Sequence, residues 1–190
     1  MTMRCTWVPE NSDLYKEYHD KEWGTPVYDD QKLFEMLFLE CFQAGLSWYS
    51  ILKKREAFRL LFDGFDALKI AQYDEDKVAA LMTRKEIIRN RLKIKAAISN
   101  ARIFLAIQKE FGSFSSYLWG YVDGKTVVNA ARGALKTSPL SDEISADLKR
   151  RGMKFVGSIT IYSYLQAVGL INDHEKECFR FQELTALSNM

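Results

Sequence analysis

Two pairs of potential metal ligands lie near opposite ends of the sequence. Cys5 precedes His19 at one end, and His174 precedes Cys178 at the other. The members of the second pair are four residues apart, so one helical turn would direct both side chains to the same point. Two thiolates and two imidazoles suit tetrahedral zinc, and four protein ligands leave no open position for a substrate. The pattern predicts a structural metal site that joins the two ends, although two buried cysteines and two unrelated histidines would give the same spacing.

Glu40 interrupts the apolar segment 33–45. At helical spacing it shares a face with Leu37 and Ala44, which predicts that its carboxylate is buried. A buried carboxylate is unfavourable unless it is paired, hydrogen-bonded or protonated. It can therefore make an internal hydrogen bond or a buried ion pair, or belong to a ligand site, and periodicity leaves these alternatives open. Glu35, on another face, is not predicted to be special.

Aromatic residues are concentrated in the first quarter of the chain. They are Trp7, Tyr15, Tyr18, Trp23, Trp48 and Tyr49. Most such residues simply belong to a core. An acid beside several aromatic rings also suits a nucleobase, because rings stack on the base while a carboxylate accepts from its exocyclic amine. The two interpretations are compatible.

The net charge is only +2, but basic residues are concentrated in two segments, 84–102 and 149–154. In the first, a break at 83–86 between two helical patterns predicts a helix, a tight hairpin and a second helix. Such a unit can present backbone N–H groups and cations to DNA phosphates. The alternative is a solvated helix pair, because this hairpin contains no glycine. The candidate DNA contacts here are Arg84, Lys85, Arg89, Arg91 and Lys93.

Helical periodicity dominates the rest of the sequence and predicts an all-α fold. The predicted helices cover residues 12–20, 30–45, 51–62, 74–82, 92–112, 144–151 and 158–168. In the third helix, Arg55 is expected to be exposed with its lysine neighbours, and in the fifth, Leu92 and Ile103 belong to one apolar stripe. The glycine-rich stretch 120–141 is predicted to be irregular.

Composition is ordinary for a soluble globular protein, with 190 residues, 47% apolar and 27% charged. We expect a single domain over residues 1–190 and, by default, a monomer. No signal peptide or membrane-spanning run is evident, so we expect a cytoplasmic location. Three cysteines cannot all pair internally, and Cys41 in an apolar helix is expected to be a reduced, buried thiol.

Five motifs follow one another along the chain, namely residues 18–24 (YHDKEWG), 39–40 (LE) with 43–48 (QAGLSW), 87–91 (IIRNR), 154–157 (KFVG), and 172–174 (NDH) with Cys178. Together they resemble the motifs of the DNA-3-methyladenine glycosylase type I family. The resemblance runs in order from Cys5 to Cys178. It therefore covers nearly the whole chain.

The resemblance implies a compact bundle of the helix-hairpin-helix glycosylase type. It also implies that zinc joins segments 1–24 and 170–180 through Cys5, His19, His174 and Cys178. The family hydrolyses the N-glycosidic bond of 3-methyladenine in alkylated double-stranded DNA, without a redox or nucleotide cofactor. The methylated base is a cation and a good leaving group, so the enzyme has mainly to flip and hold it.

The resemblance also assigns residues to the site. Glu40 would recognise the base, Trp48 and Tyr18 would supply aromatic faces, and Trp7, Tyr15 and Trp23 would complete the wall. Lys154, with the backbone N–H groups of Gly157 and Ser158, would meet phosphate. A catalytic aspartate in a Gly- and Pro-rich loop is common in the wider superfamily, but no such loop is evident here. Glu40 is therefore assigned to recognition more readily than to water activation.

Two other functions remain compatible with the residues. A zinc-stabilised DNA-binding protein with a degenerate pocket would need only the basic hairpin and the metal site. A related glycosylase would excise a different alkylated base.

Overall fold

The computed structural model describes residues 3–129 and 135–188 and is mostly helical, as predicted. The helices are α1 (Asp13–Lys21), α2 (Asp30–Gln43), α3 (Trp48–Leu61), α4 (Ala67–Ile70), α5 (Glu75–Met82), α6 (Arg91–Phe111), α7 (Phe114–Gly120), α8 (Pro139–Arg150), α9 (Ser158–Ala167) and α10 (Phe179–Ser188), with a 3-10 turn at Asp63–Phe65. No helix in the described ranges is both long enough and apolar enough to cross a membrane.

One departure from the all-α prediction is a pair of very short parallel strands. β1 (Val127–Val128) pairs with β2 (Ile171–Asn172). β1 lies in the stretch predicted to be irregular, part of which, residues 130–134, is outside the described residues. The pairing holds the segment after α7 beside the segment that leads to His174.

Local capping explains where most helices begin. Side chains of Ser12, Asp29, Ser47 and Asp74 each accept a backbone N–H three residues later, at the starts of α1, α2, α3 and α5. The predicted start of α8 at residue 144 is wrong. Ser138 and Ser141 cap each other reciprocally, and Pro139 occupies the first helical position, so the helix begins five residues earlier.

The core is organised around α2, in which every residue from Leu33 to Phe42 is buried. Phe38 contacts the rings of Phe42, Phe62 and Phe65 at centroid distances of 4.7, 4.8 and 5.1 Å. Because α2 is surrounded by other helices, both of its central glutamates lie inside the protein.

The predicted apolar stripe of α6 is wrong at its first residue, whereas Ala96 and Ile107 of the same stripe are buried. Leu92 is 72% exposed, whereas Ile94, Ala101 and Phe104 are fully or almost fully buried. Phe104 sets this orientation, since its ring packs at 4.9 Å from Phe34 of α2 and at 4.3 Å from Phe114. The buried face therefore follows the aromatic contact with α2.

Candidate active site

An aromatic cleft of about 890 Å³ opens at the carboxyl end of α2. It is lined by all six side chains predicted for base recognition, namely Trp7, Tyr15, Tyr18, Trp23, Glu40 and Trp48. Tyr18 of α1 lies 5.3 Å from Trp48 at the start of α3, and Trp7 lies 4.9 Å from Trp23, measured between ring centroids. Three helices and the N-terminal segment thus bring these residues together.

Glu40 is buried, as predicted, and forms no ion pair with any residue that the structure describes. Its carboxylate oxygen Oε2 has no hydrogen-bond partner among the described residues, and neither does the indole Nε1 of Trp48. Both side chains line the cleft. Burial alone raises the pKa of Glu40 to about 8. An acceptor and a donor are therefore left unpaired in an aromatic cleft, which favours a ligand carrying the complementary groups.

A buried ion cluster supports this end of the cleft, and sequence reasoning missed it. Arg55, predicted to be exposed, is 8% exposed and donates to both carboxylate oxygens of Glu22 at 2.9 Å and to Glu35 at 2.7 Å. Lys32 also donates to Glu22 at 2.9 Å. Burial opposes ionisation of Glu22, but Arg55 and Lys32 outweigh it and lower the pKa to about 2. The cluster fixes the end of α1 against α2 and α3, the helices that carry Tyr18, Glu40 and Trp48.

The four predicted metal ligands form one cluster. Cys5, His19, His174 and Cys178 are all buried, and their ligand atoms lie within 4.8 Å of one another. The sulfur of Cys178 is 3.5 Å from His19 Nε2 and 3.5 Å from His174 Nδ1, and that of Cys5 is 3.4 Å from His174 Nδ1. Ligands of a tetrahedral ion with bonds of about 2.0–2.3 Å are separated by roughly 3.5 Å. The cluster therefore has the donors and the spacing to hold a metal ion.

Neighbouring groups orient both imidazoles toward the sulfurs. His19 Nδ1 is 2.8 Å from Asp20, which Arg4 holds in turn, and His174 Nε2 is 3.1 Å from the carbonyl oxygen of Trp23. Donation of those N–H groups leaves the other ring nitrogen free as a ligand. Gly24 is required beside this contact, because its φ is +77° and a Cβ there would lie 2.7 Å from His174 Nε2.

The local structure of the second ligand pair differs from the prediction. His174 and Cys178 lie on a turn, closed by donation from Cys178 N to Glu175 O at 2.8 Å, and α10 begins only at Phe179. A turn suffices because the metal ligands need only converge. The prediction of a helical turn was wrong, although the two side chains do meet.

The first basic hairpin, residues 83–90, lies between α5 and α6. Arg84, Lys85, Arg89 and Arg91 are exposed, although Arg84 pairs with Glu86 and Arg91 with Glu75. Lys93 contradicts its predicted placement on this surface. It is 6% exposed, and its Nζ donates to the carbonyl oxygens of Phe42 and Ala44 at 2.7 and 2.6 Å. Lys93 therefore caps the carboxyl end of α2, because those carbonyls have no partner within the helix.

A second hairpin, residues 151–157, joins α8 to α9 and carries the other predicted DNA contacts. Lys154 is exposed, while the amide of Asn100 holds its backbone at N and O with distances of 2.8 and 2.9 Å. Gly157 caps α9 without a side chain, which leaves its first N–H groups without a side-chain acceptor. The hydroxyl of Ser158 bonds with Ser141 and Asp142 of α8.

The two hairpins meet beside the end of α2. Lys93, which follows the first hairpin, has its Nζ 5.7 Å from the ring centroid of Phe155 in the second. The turn between α2 and α3 emerges here, and in it Leu46 is 42% exposed. Its neighbours Gln43 and Trp48 line the cleft. This exposed leucine was not predicted, and only its apolar character in a turn could have indicated it.

Comparison with known proteins identifies the family to which this chain belongs. The model of the methyladenine glycosylase family matches residues 7–181. The chain belongs to the methyladenine glycosylase family. It is 44% identical to the DNA-3-methyladenine glycosylase of Haemophilus influenzae, covering 94% of this chain and 97% of that protein. It is 46% identical to DNA-3-methyladenine glycosylase 1 of Escherichia coli, covering 92% and 95%.

Solved structures agree with the fold of this family member. A crystal structure of a 3-methyladenine DNA glycosylase I matches it with a TM-score of 0.89 and 47% identity, covering 93% of this chain and 98% of that one. A 3-methyladenine DNA glycosylase I from Staphylococcus aureus, solved to explain 3-methyladenine recognition, matches with a TM-score of 0.89 and 38% identity, covering 93% and 95%. The resemblance inferred from the motifs is confirmed.

Proposed function

We propose that this protein hydrolyses the N-glycosidic bond of 3-methyladenine in alkylated double-stranded DNA, as the first step of base-excision repair. The observation that carries the proposal is the unpaired carboxylate oxygen of Glu40 in the aromatic cleft. The names of its relatives support the substrate, since a structure of one of them was determined in complex with 3-methyladenine. In this proposal the whole chain acts as one domain and as a monomer.

The cleft suits a methylated adenine better than an ordinary one. Methylation at N3 gives the base a positive charge, which attracts aromatic faces and a carboxylate. The exocyclic amine can donate to Glu40 Oε2, and a ring nitrogen can accept from Trp48 Nε1. A cation beside Glu40 also favours its ionised form, which reverses the effect of burial on the pKa. Uncharged adenine provides no such gain.

The bond breaks with its electron pair leaving on the base, which becomes neutral. Water then attacks the sugar. The base must first leave the duplex, and an apolar side chain commonly fills the resulting gap. Leu46 is placed for this task, because it is exposed on the turn that connects two residues of the cleft lining.

The DNA backbone would lie across the two hairpins. Arg89 and Lys154 are exposed cations, one on each hairpin, and the free N–H groups at the start of α9 suit a phosphate. Arg84, Lys85 and Arg91 extend this surface, whereas Lys93 is committed to α2. The contact is with phosphates and therefore independent of base sequence.

We also propose that Cys5, His19, His174 and Cys178 bind one structural zinc ion. Elemental analysis should give one zinc per chain, and Cys178→Ala should lose both the metal and thermal stability. Cys41→Ala is the matched control, since that buried thiol lies outside the cluster. Full metal content in Cys178→Ala would refute the site.

Release of free bases from DNA tests the function directly. Purified protein should release 3-methyladenine from methylated duplex DNA, and it should release the modified base more slowly from a panel of duplexes with other alkylated bases. Preferred release of another base would indicate a related glycosylase. Salt-sensitive DNA binding without any base release would instead indicate a binding protein.

A further inference from the structure

A second carboxylate lies in the same cleft, in surroundings opposite to those of Glu40. Asp173 follows β2 and lines the cleft with the polar residues Asn129, Ser163 and Gln166. Where the base occupies the aromatic part, its sugar must lie outside that part. The polar lining around Asp173 is then one part of the wall that can face the sugar, beside Thr6, Gln43 and Lys176.

Three donors hold the Asp173 carboxylate. Tyr162 OH donates to Oδ2 at 3.0 Å, Gln166 Nε2 donates to Oδ2 at 2.5 Å, and Asn129 Nδ2 donates to Oδ1 at 2.6 Å. Burial, followed by the negative charge of Asp173, raises the pKa of Tyr162, so its hydroxyl remains a donor. The three donors thus hold both oxygens of the carboxylate and fix its orientation at the cleft wall.

The other acids at the cleft are less suited to act on a cation at the sugar. Glu40 is buried with an unpaired oxygen and faces the aromatic part. Glu175 accepts from the backbone N and the hydroxyl of Thr6, at 2.9 and 2.5 Å. Glu177 is exposed at the surface, where solvent screens its charge. Among these acids, Asp173 alone is held at both carboxylate oxygens and is also partly exposed.

We propose that the carboxylate of Asp173 stabilises the positive charge that develops on the sugar during base release. This inference rests on the proposed function. As the bond between C1′ and the base breaks, its electron pair leaves with the base and C1′ becomes cationic. The oxygen of a water molecule then bonds to C1′, and its proton passes to solvent. A fixed negative charge beside C1′ favours this cation over the neutral ground state. Glu40 thus recognises the base, and Asp173 stabilises the cation on the sugar.

Two abasic duplexes separate this role from a structural one. One carries a cationic pyrrolidine ring in place of the deoxyribose, and the other a neutral tetrahydrofuran ring. Wild-type protein should bind the cationic duplex at least about ten-fold more tightly. Asp173→Asn keeps the shape of the side chain but removes its charge, and should abolish most of this preference. Glu177→Gln removes the same charge from the cleft rim without touching the three donors, and should retain it.

Each result decides the proposal. Equal affinity of the wild-type protein for both duplexes would overturn it even if Asp173→Asn fails to fold. A parallel loss of affinity for both duplexes in Asp173→Asn, with metal content and melting temperature unchanged, would show a role in shaping the cleft instead. A wild-type protein that releases 3-methyladenine without preferring the cationic ring would refute this inference while leaving the proposed function intact.

Discussion

The two buried glutamates of α2 lie five residues apart and have opposite surroundings. Glu35 is 4% exposed and bonds to Arg55 and Arg59, and these cations with Lys32 lower its pKa against the effect of burial. Glu40 is 3% exposed, has an unpaired oxygen, and has its pKa raised to about 8 by burial. The same residue type on the same helix is thus ionised in one place and mostly protonated at neutral pH in the other.

The difference separates stability from function within one helix. Charge pairing at Glu35 fixes three helices, because Arg55 also holds Glu22 at the end of α1. At Glu40 the fold leaves a polar atom unsatisfied, which is unfavourable in the unliganded protein. Burial therefore does not by itself indicate function. The informative property is whether the buried group has partners.

The largest effect is expected at the ion cluster. Arg55→Met leaves Glu22 and Glu35 without their shared guanidinium, and removal of one partner from a buried pair costs about 3–5 kcal/mol. Urea unfolding should show this loss in the free energy of unfolding. Arg59→Met is the matched control, because Arg59 is partly exposed and its loss should cost less than about 1 kcal/mol. Similar losses in both variants would mean that burial does not distinguish these arginines.

Glu40→Gln should give the opposite pattern. It removes the negative charge that a cationic base requires, so excision of 3-methyladenine under single-turnover conditions should fall about 100-fold, or roughly 2.7 kcal/mol. The free energy of unfolding should stay the same or rise, since no ion pair is broken. Glu35→Gln, the same change five residues away, should lower stability and leave excision by the folded protein within a few-fold. A stability loss in Glu40→Gln would reveal a structural role for its carboxylate.

Periodicity and residue chemistry predicted the aromatic cleft well. Glu40 was predicted to be buried because its helical face also carries Leu37 and Ala44, and the capping residues correctly placed the starts of α1 and α2. The two ligand pairs were recognised by residue type. Their convergence over more than 150 residues could not follow from spacing, because it depends on how the ends of the chain pack.

The misplacements of Arg55 and Lys93 share a physical cause, which is that a long cationic side chain is buried or exposed according to the partners that it meets. Arg55 and Lys93 were both assigned to solvent from their charge. Arg55 is buried because two carboxylates from other segments meet it, and Lys93 because the end of α2 presents carbonyls to it. Such partners lie far away in sequence. A local pattern cannot indicate them.

The smallest expected effect is a difference in how the buried glutamates make stability depend on pH. The pKa of Glu40 is higher in the folded protein than in the unfolded chain, so its stabilising contribution is complete below about pH 4.5 and is lost as the pH rises toward about 8. Glu22 and Glu35, with lowered pKa values, contribute above about pH 4.5 and lose that contribution as the pH falls.

Between pH 5.5 and 7.5 the wild-type protein should therefore lose up to about 1.4 kcal/mol per pH unit relative to Glu40→Gln. Urea unfolding of both unliganded proteins at several pH values measures this difference, and the titration of every other group cancels in it. The same experiment with Glu35→Gln should give a curve that lies below that of wild type and parallel to it above about pH 4.5, and that approaches it only as the pH falls. Parallel curves for wild type and Glu40→Gln would show that the carboxylate is already paired or hydrated in solution. The contrast between the two glutamates would then be one of position alone.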